Sequence, residues 1–89
     1  MTKEEATEKA KNDLGNRLGL DENEVTVGSV SEVDFPDMAL GAAASGEMSG
    51  QMITRGWKIE LKADGKGYEY RADKNQLRLF RFKGKNYKV

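Results

Sequence analysis

The chain has 89 residues, no cysteine, no histidine and a formal net charge of zero from 15 basic and 15 acidic side chains. That length fits one domain with a thin core, because so short a chain buries little apolar surface. The missing residue types exclude disulfides, thiolate nucleophiles, zinc sites built on sulfur or nitrogen, and imidazole acid–base chemistry; they suit a reducing compartment.

Residues 3–18 are predicted to form a helix. Thr2 and Glu5 have the spacing of a capping box, acids crowd the first turns, and Ala6, Ala10, Leu14 and Leu18 make a narrow apolar stripe. Gly19 followed by Leu20 is a stop signal. Residues 24–35 read as a first strand with Val25, Val27, Val33 and Phe35 on one parity; Val30 breaks the pattern beside Gly28-Ser29, which predicts a bend or bulge. Residues 36–50 are mostly small and resemble a functional or mobile connection. With no large anchor in residues 41–50, this loop is expected to be mobile until a partner orders it.

Further strands follow at 51–63, with Ile53, Trp57, Ile59, Leu61 and Ala63 on one parity, and at 68–73 and 77–82. For the hairpin around Asp64-Gly65-Lys66-Gly67, a four-residue loop would set Leu61 opposite Tyr70 and Glu60 opposite Arg71. The competing two-residue Asp-Gly turn sets Glu60 against Glu69 and Lys58 against Arg71. Cross-strand charge pairs at roughly 0.2–1 kcal/mol each favour the first register. Lys58, Glu60 and Lys62 then form a solvated sheet face. In the fourth strand Leu77 and Leu79 offer one apolar face and Phe80 and Phe82 the other, and the pattern leaves both open. The last residues, 83–89, are expected to fray. The expected fold is α+β: one domain, 1–89, with an N-terminal helix packed on a four-stranded antiparallel meander.

The charge is lopsided. Residues 1–40 hold 4 basic and 10 acidic side chains, net −6, and residues 71–89 hold 7 and 1, net +6. Either the two ends neutralise each other or the C-terminal run is a basic patch for an anionic partner. That run, Arg78 to Lys88, interleaves cations with Phe80, Phe82 and Tyr87, as single-stranded nucleic-acid surfaces do; a charged edge strand has the same composition.

No catalytic residue stands out. Asp34 and Asp37 flank Phe35-Pro36, where a turn explains them. Asp21-Glu22-Asn23-Glu24 lacks the glycine and spacing of a calcium loop, and no glycine pattern forms a phosphate cradle. No cofactor and no metal are expected. Met38, Met48 and Met52 gather around the loop, where adaptable thioethers suit a partner surface.

The pattern Phe35-Pro36-Asp37, Leu40-Gly41, Gln51, Ile53-Thr54, Gly56-Trp57, Ile59, Leu61 and Tyr68-x-Tyr70 resembles a small, functionally uncharacterised prokaryotic domain over about residues 6–73. Members of that family often carry Cys-Pro after Leu-Gly; Ala42 and Ala43 stand here, so any role of that cysteine is absent. More loosely, one helix before an antiparallel meander is similar to the PepSY-type domains, which are associated with peptidase modulation.

Two functions follow as expectations. The first is a non-catalytic binding or inhibitory module for a protein or peptide, acting through Phe35, Pro36, Asp37, Leu40, Gly41, Met52, Arg55 and Trp57. The second is a nucleic-acid-binding domain using Arg71, Arg78, Arg81, Lys83, Lys85 and Lys88. No run approaches the roughly 20 apolar residues of a membrane span, and the residues after Met1 are too polar for a secretory leader. The cytoplasm is therefore the expected compartment, with no membrane partner.

Overall fold

The computed structural model describes residues 1–89. Helix α1 (Lys3–Leu18) leads through a short 3-10 turn at Glu22–Glu24 to five strands: β1 (Thr26–Phe35), β2 (Thr54–Ala63), β3 (Lys66–Ala72), β4 (Leu77–Phe82) and β5 (Lys85–Lys88). They form one antiparallel sheet in chain order. The α+β meander is as the residue pattern predicts, but there are five strands and not four. Residues 83–89 do not fray. Lys83 and Gly84 turn the chain at φ 52° and 81°, Tyr87 pairs with Leu79, and the Val89 amide donates to the Leu77 carbonyl at 3.0 Å. Tyr87 meets Phe82 edge-on at 6.1 Å and lies under the Arg17 guanidinium at 4.7 Å, contacts that offset the fraying tendency of a lysine-rich end.

The helix forms as its caps predict. The Thr2 hydroxyl accepts from the Glu5 amide at 3.1 Å, and the Glu5 carboxylate accepts from the Thr2 amide at 2.7 Å. Gly19 closes it in the left-handed region at φ 70°. Ala6, Ala10 and Leu14, all fully buried, pack with Ile59, Leu61, Tyr70, Ala72 and Leu79 in the main core. The small alanines let the helix lie close, and a polar contact fixes its position: the Tyr70 hydroxyl donates to Asp13 Oδ2 at 2.6 Å, which also accepts from Arg17 Nε at 2.7 Å. Burial, then the neighbouring carboxylate, push the Tyr70 hydroxyl well above the ordinary phenol range.

The central hairpin takes the register the charge argument rejects. Ala63 pairs with Lys66, Glu60 with Glu69, Ile59 with Tyr70 and Lys58 with Arg71. Leu61 lies opposite Tyr68 and not Tyr70. Asp64 and Gly65 sit at φ 52° and 74°, the two left-handed positions of a tight turn whose twist matches the strands. Both registers place the same apolar residues on the helix side, so burial does not discriminate and the turn decides. The like charges are relieved by contacts along each strand and by one diagonal across them. Lys58 Nζ lies 3.4 Å from Glu60 and 3.9 Å from Glu69, and Arg71 Nε lies 2.6 Å from Glu69.

Two bulges decide which side chains face the helix. The first, at Gly28, shifts the register between Val27 and Ser29. Val27 and Val30 consequently lie opposite Leu61 and Ile59 on the helix side, while Val33 and Phe35 turn to the other side opposite Gly56 and Thr54. The second, between Leu79 and Phe82, has Arg81 at φ 49°. It returns Phe82 to the core beside Leu77 and Leu79 and leaves Arg78 and Phe80 on the far face. The sheet is thus covered on both sides, by α1 on one and by residues 36–50 over one end of the other.

Candidate functional site

The connection between β1 and β2 has anchors that its small residues do not predict. Asp37 organises its start: one carboxylate oxygen accepts from the Ala39 and Gly41 amides, each at 2.9 Å. Gly41 is held at φ 64°, where a Cβ would meet Arg71 Nη1 at 2.8 Å. The middle is held by side chains of the sheet reaching its carbonyls. Arg71 donates to the Leu40 carbonyl at 2.9 Å, Asn86 to Ala43 at 2.9 Å, and Gln76 to Met38 at 2.9 Å. Glu47 closes the arrangement with a two-pronged pair to Arg78, at 2.5 and 2.8 Å, and a contact from Lys88 at 3.4 Å. The Arg78 guanidinium holds the Glu47 carboxyl down at about 2 against an ordinary 4.5. The anchor the composition lacks is therefore a charge, and alanines leave the carbonyls open to it.

This assigns Phe35, Asp37, Leu40 and Gly41 to the interior of the far face. Phe35 is 3% exposed and Leu40 fully buried, and Arg71 lies over the rings of Phe35 and Phe80 at 5.3 and 3.6 Å. Gly56 sits beneath, where a Cβ would come within 2.2 Å of the Ala72 carbonyl oxygen. Pro36 is exposed but packs its ring beside Gly41.

The remaining three expected contact residues, Met52, Arg55 and Trp57, come together at the end of the sheet. They line an open cleft of about 520 Å³ with Met38, Ile53 and the Asp73–Asn75 turn. Met38, Met52 and Ile53 are 50%, 65% and 71% exposed, while Trp57 is half-buried with its inner side on the main core. Arg55 is shared by Asp34 at 3.2 Å and Glu32 at 4.0 Å. Ile53 escapes a sequence reading, because parity assigns it to a buried strand; β2 begins one residue later, at Thr54. The methionine cluster was the available signal, and it holds for Met38 and Met52.

The basic set divides as well. Arg71 and Arg78 are engaged internally and Arg78 is only 6% exposed. Arg81, Lys83 and Lys85 are exposed around the β4–β5 turn, with Arg81 over the Phe80 ring at 5.1 Å and Lys83 over the Phe82 ring at 5.3 Å. Arg81 and Lys83, with Tyr68, Phe80 and Phe82, line a second cleft of about 520 Å³. No three carboxylates converge to hold a metal ion. No helix is long and apolar enough to cross a membrane.

The fold and these surfaces define a small α+β domain with one sheet face covered by a helix, the other covered at one end by the β1–β2 connection, and a cleft with exposed apolar side chains beside that end. The chain belongs to the family described as Domain of unknown function (DUF8738), whose model matches residues 7–80. No curated protein and no solved structure matches it.

Proposed function

We propose that this protein is a small non-catalytic binding or inhibitory module whose contact surface is the cleft of Met38, Met52, Ile53 and Trp57, with a protein or peptide as partner in the cytoplasm. One observation carries the reading: three large apolar side chains are left half or more exposed around a tryptophan, in a domain that buries Leu14, Leu40, Ile59, Leu61 and Leu79 completely. Clustered exposed apolar surface favours association, and flexible thioethers beside an indole fit an apolar side chain without a rigid template. The helix-then-meander layout, similar to PepSY-type domains, supports the inhibitory form of this reading, with a peptidase as the target.

Trp57 is the sole tryptophan, so its fluorescence reports directly on the cleft. Peptides selected by display against the whole chain should shift that emission, bind with little salt dependence, and lose binding to Met52→Ser and Ile53→Ser. Selected peptides that leave Trp57 emission unchanged and bind the variants equally would refute the reading.

The exposed cations at the β4–β5 turn, set beside Tyr68, Phe80 and Phe82, support the alternative of single-stranded nucleic-acid binding. Short oligonucleotides should then bind with an affinity that collapses between low and physiological salt. Arg81→Ala and Lys83→Ala should abolish that binding.

A further inference from the structure

An open sheet has two edges, and here they are unlike. β5 ends the sheet with four residues, two of them lysine, behind a bulge. These are the usual means of discouraging further pairing. β1 ends it with a run from Ser29 to Phe35 in unbroken register against β2, and that run has no lysine, arginine or proline. Beyond its ladder with β2, no hydrogen bond reaches the backbone of residues 27–35, so the outward donors and acceptors of this strand are open.

The surroundings of this edge select what can pair with it. On the helix side, Val30 forms the floor of a shallow groove walled by Lys3, Glu4, Thr7 and Glu8 of α1. Glu32 and Asp34 follow Val30 along the strand, with Arg55 between them. The Glu8 carboxyl beside Glu22 raises the Glu22 carboxyl above its ordinary value, with Lys11 partly opposing it.

We propose that β1 accepts an added strand from a basic, extended segment of another protein, which carries lysine or arginine at alternate positions. Ladder bonds to Ser29–Phe35 supply the affinity, and cations turned into the groove toward Glu4, Glu8, Glu32 and Asp34 fix the register. On the opposite side the neighbours are Ser29, Ser31 and Val33, which suit threonine or valine. The β5 strand of a second copy has the right charge but is too short, with four residues, to cover the free run.

The test uses the isotopically labelled full chain and a capped eight-residue peptide in which lysine alternates with threonine. Saturable amide shifts and slowed exchange should appear in residues 29–35, and binding should weaken with salt. Two further peptides carry N-methyl groups on every lysine amide or on every threonine amide. In an added strand of either direction only one set of amides, that of the lysines or that of the threonines, points at β1. One methylated peptide should therefore bind at least about tenfold more weakly, and the other should bind nearly as well as the parent. Equal behaviour of the two, equal binding of a glutamate–threonine peptide, or shifts confined to the Trp57 cleft would overturn the proposal. So would sedimentation showing self-association of the chain as the only pairing.

Discussion

The two faces of the sheet are covered by opposite chemistry, one along the helix and the other at one end. On one, α1 presents Ala6, Ala10 and Leu14 to an apolar core. On the other, residues 36–47 are held by guanidinium and carboxamide groups that donate to their carbonyls, and by the Arg78–Glu47 pair. A segment too small-sided to be held by hydrophobic burial can still be held by charge, provided the partner charge is itself enclosed. The helix face should therefore depend little on salt, and the far face should depend on it more strongly.

Glu47→Ala is the sharpest way to break the comparison. It strands the buried Arg78 guanidinium, and a loss of about 3–5 kcal/mol is expected. The urea midpoint measures it, and Arg78→Met in the same background should recover much of the loss. Leu14→Ala acts on the other face. A cost of about 2–5 kcal/mol is expected for a fully buried leucine, visible in the melting temperature and unaltered by salt. Tyr70→Phe removes the one polar tie between helix and sheet centre and should cost about 1–3 kcal/mol, checked by chemical denaturation.

Acid separates the faces without mutation. The Glu47 carboxyl is depressed in the folded chain, so its contribution is complete above its ordinary value of 4.5 and is lost as pH falls toward about 2. The stability of the wild type should decline across that window more steeply than that of Glu47→Gln, and parallel curves would place the anchoring elsewhere. At the small end, Met52→Ser and Ile53→Ser touch neither core and should change stability by no more than about 0.5 kcal/mol, as differential scanning measures.

Helix α1 was legible to the residue because its signals are local: Thr2 and Glu5 at the start, Gly19 at the end, alanines and leucine between. The bulge at Gly28 was legible from a break in parity. The hairpin register was not, because direct cross-strand pairs leave out the diagonal from Lys58 to Glu69, the intrastrand pair of Arg71 with Glu69, and the turn's own twist. The anchored loop was hidden for a related reason. Its anchor, Glu47, lies among small residues, and the partner Arg78 lies 31 positions away in a strand that reads as a surface. Of the expected contact residues, those near the exposed methionines remain at the surface. The aromatic-Pro-Asp and Leu-Gly motifs serve the fold.

The wiring of the sheet also bears on how the chain assembles. Strands β2 to β5 are joined by tight turns, whereas β1 reaches β2 only after the whole of residues 36–53. Closing short loops costs less entropy than closing long ones, and local contacts form first. The β2–β5 meander is thus the natural nucleus, and β1 with its trailing segment joins late. Substitutions at Ile59 or Leu79 should slow folding, while those at Val33 or Glu47 should mainly speed unfolding. A chain caught before that last step would present the outer backbone of β2 in place of β1, a ten-residue strand edge with Trp57, Ile59 and Leu61 uncovered on one side, open to irregular pairing.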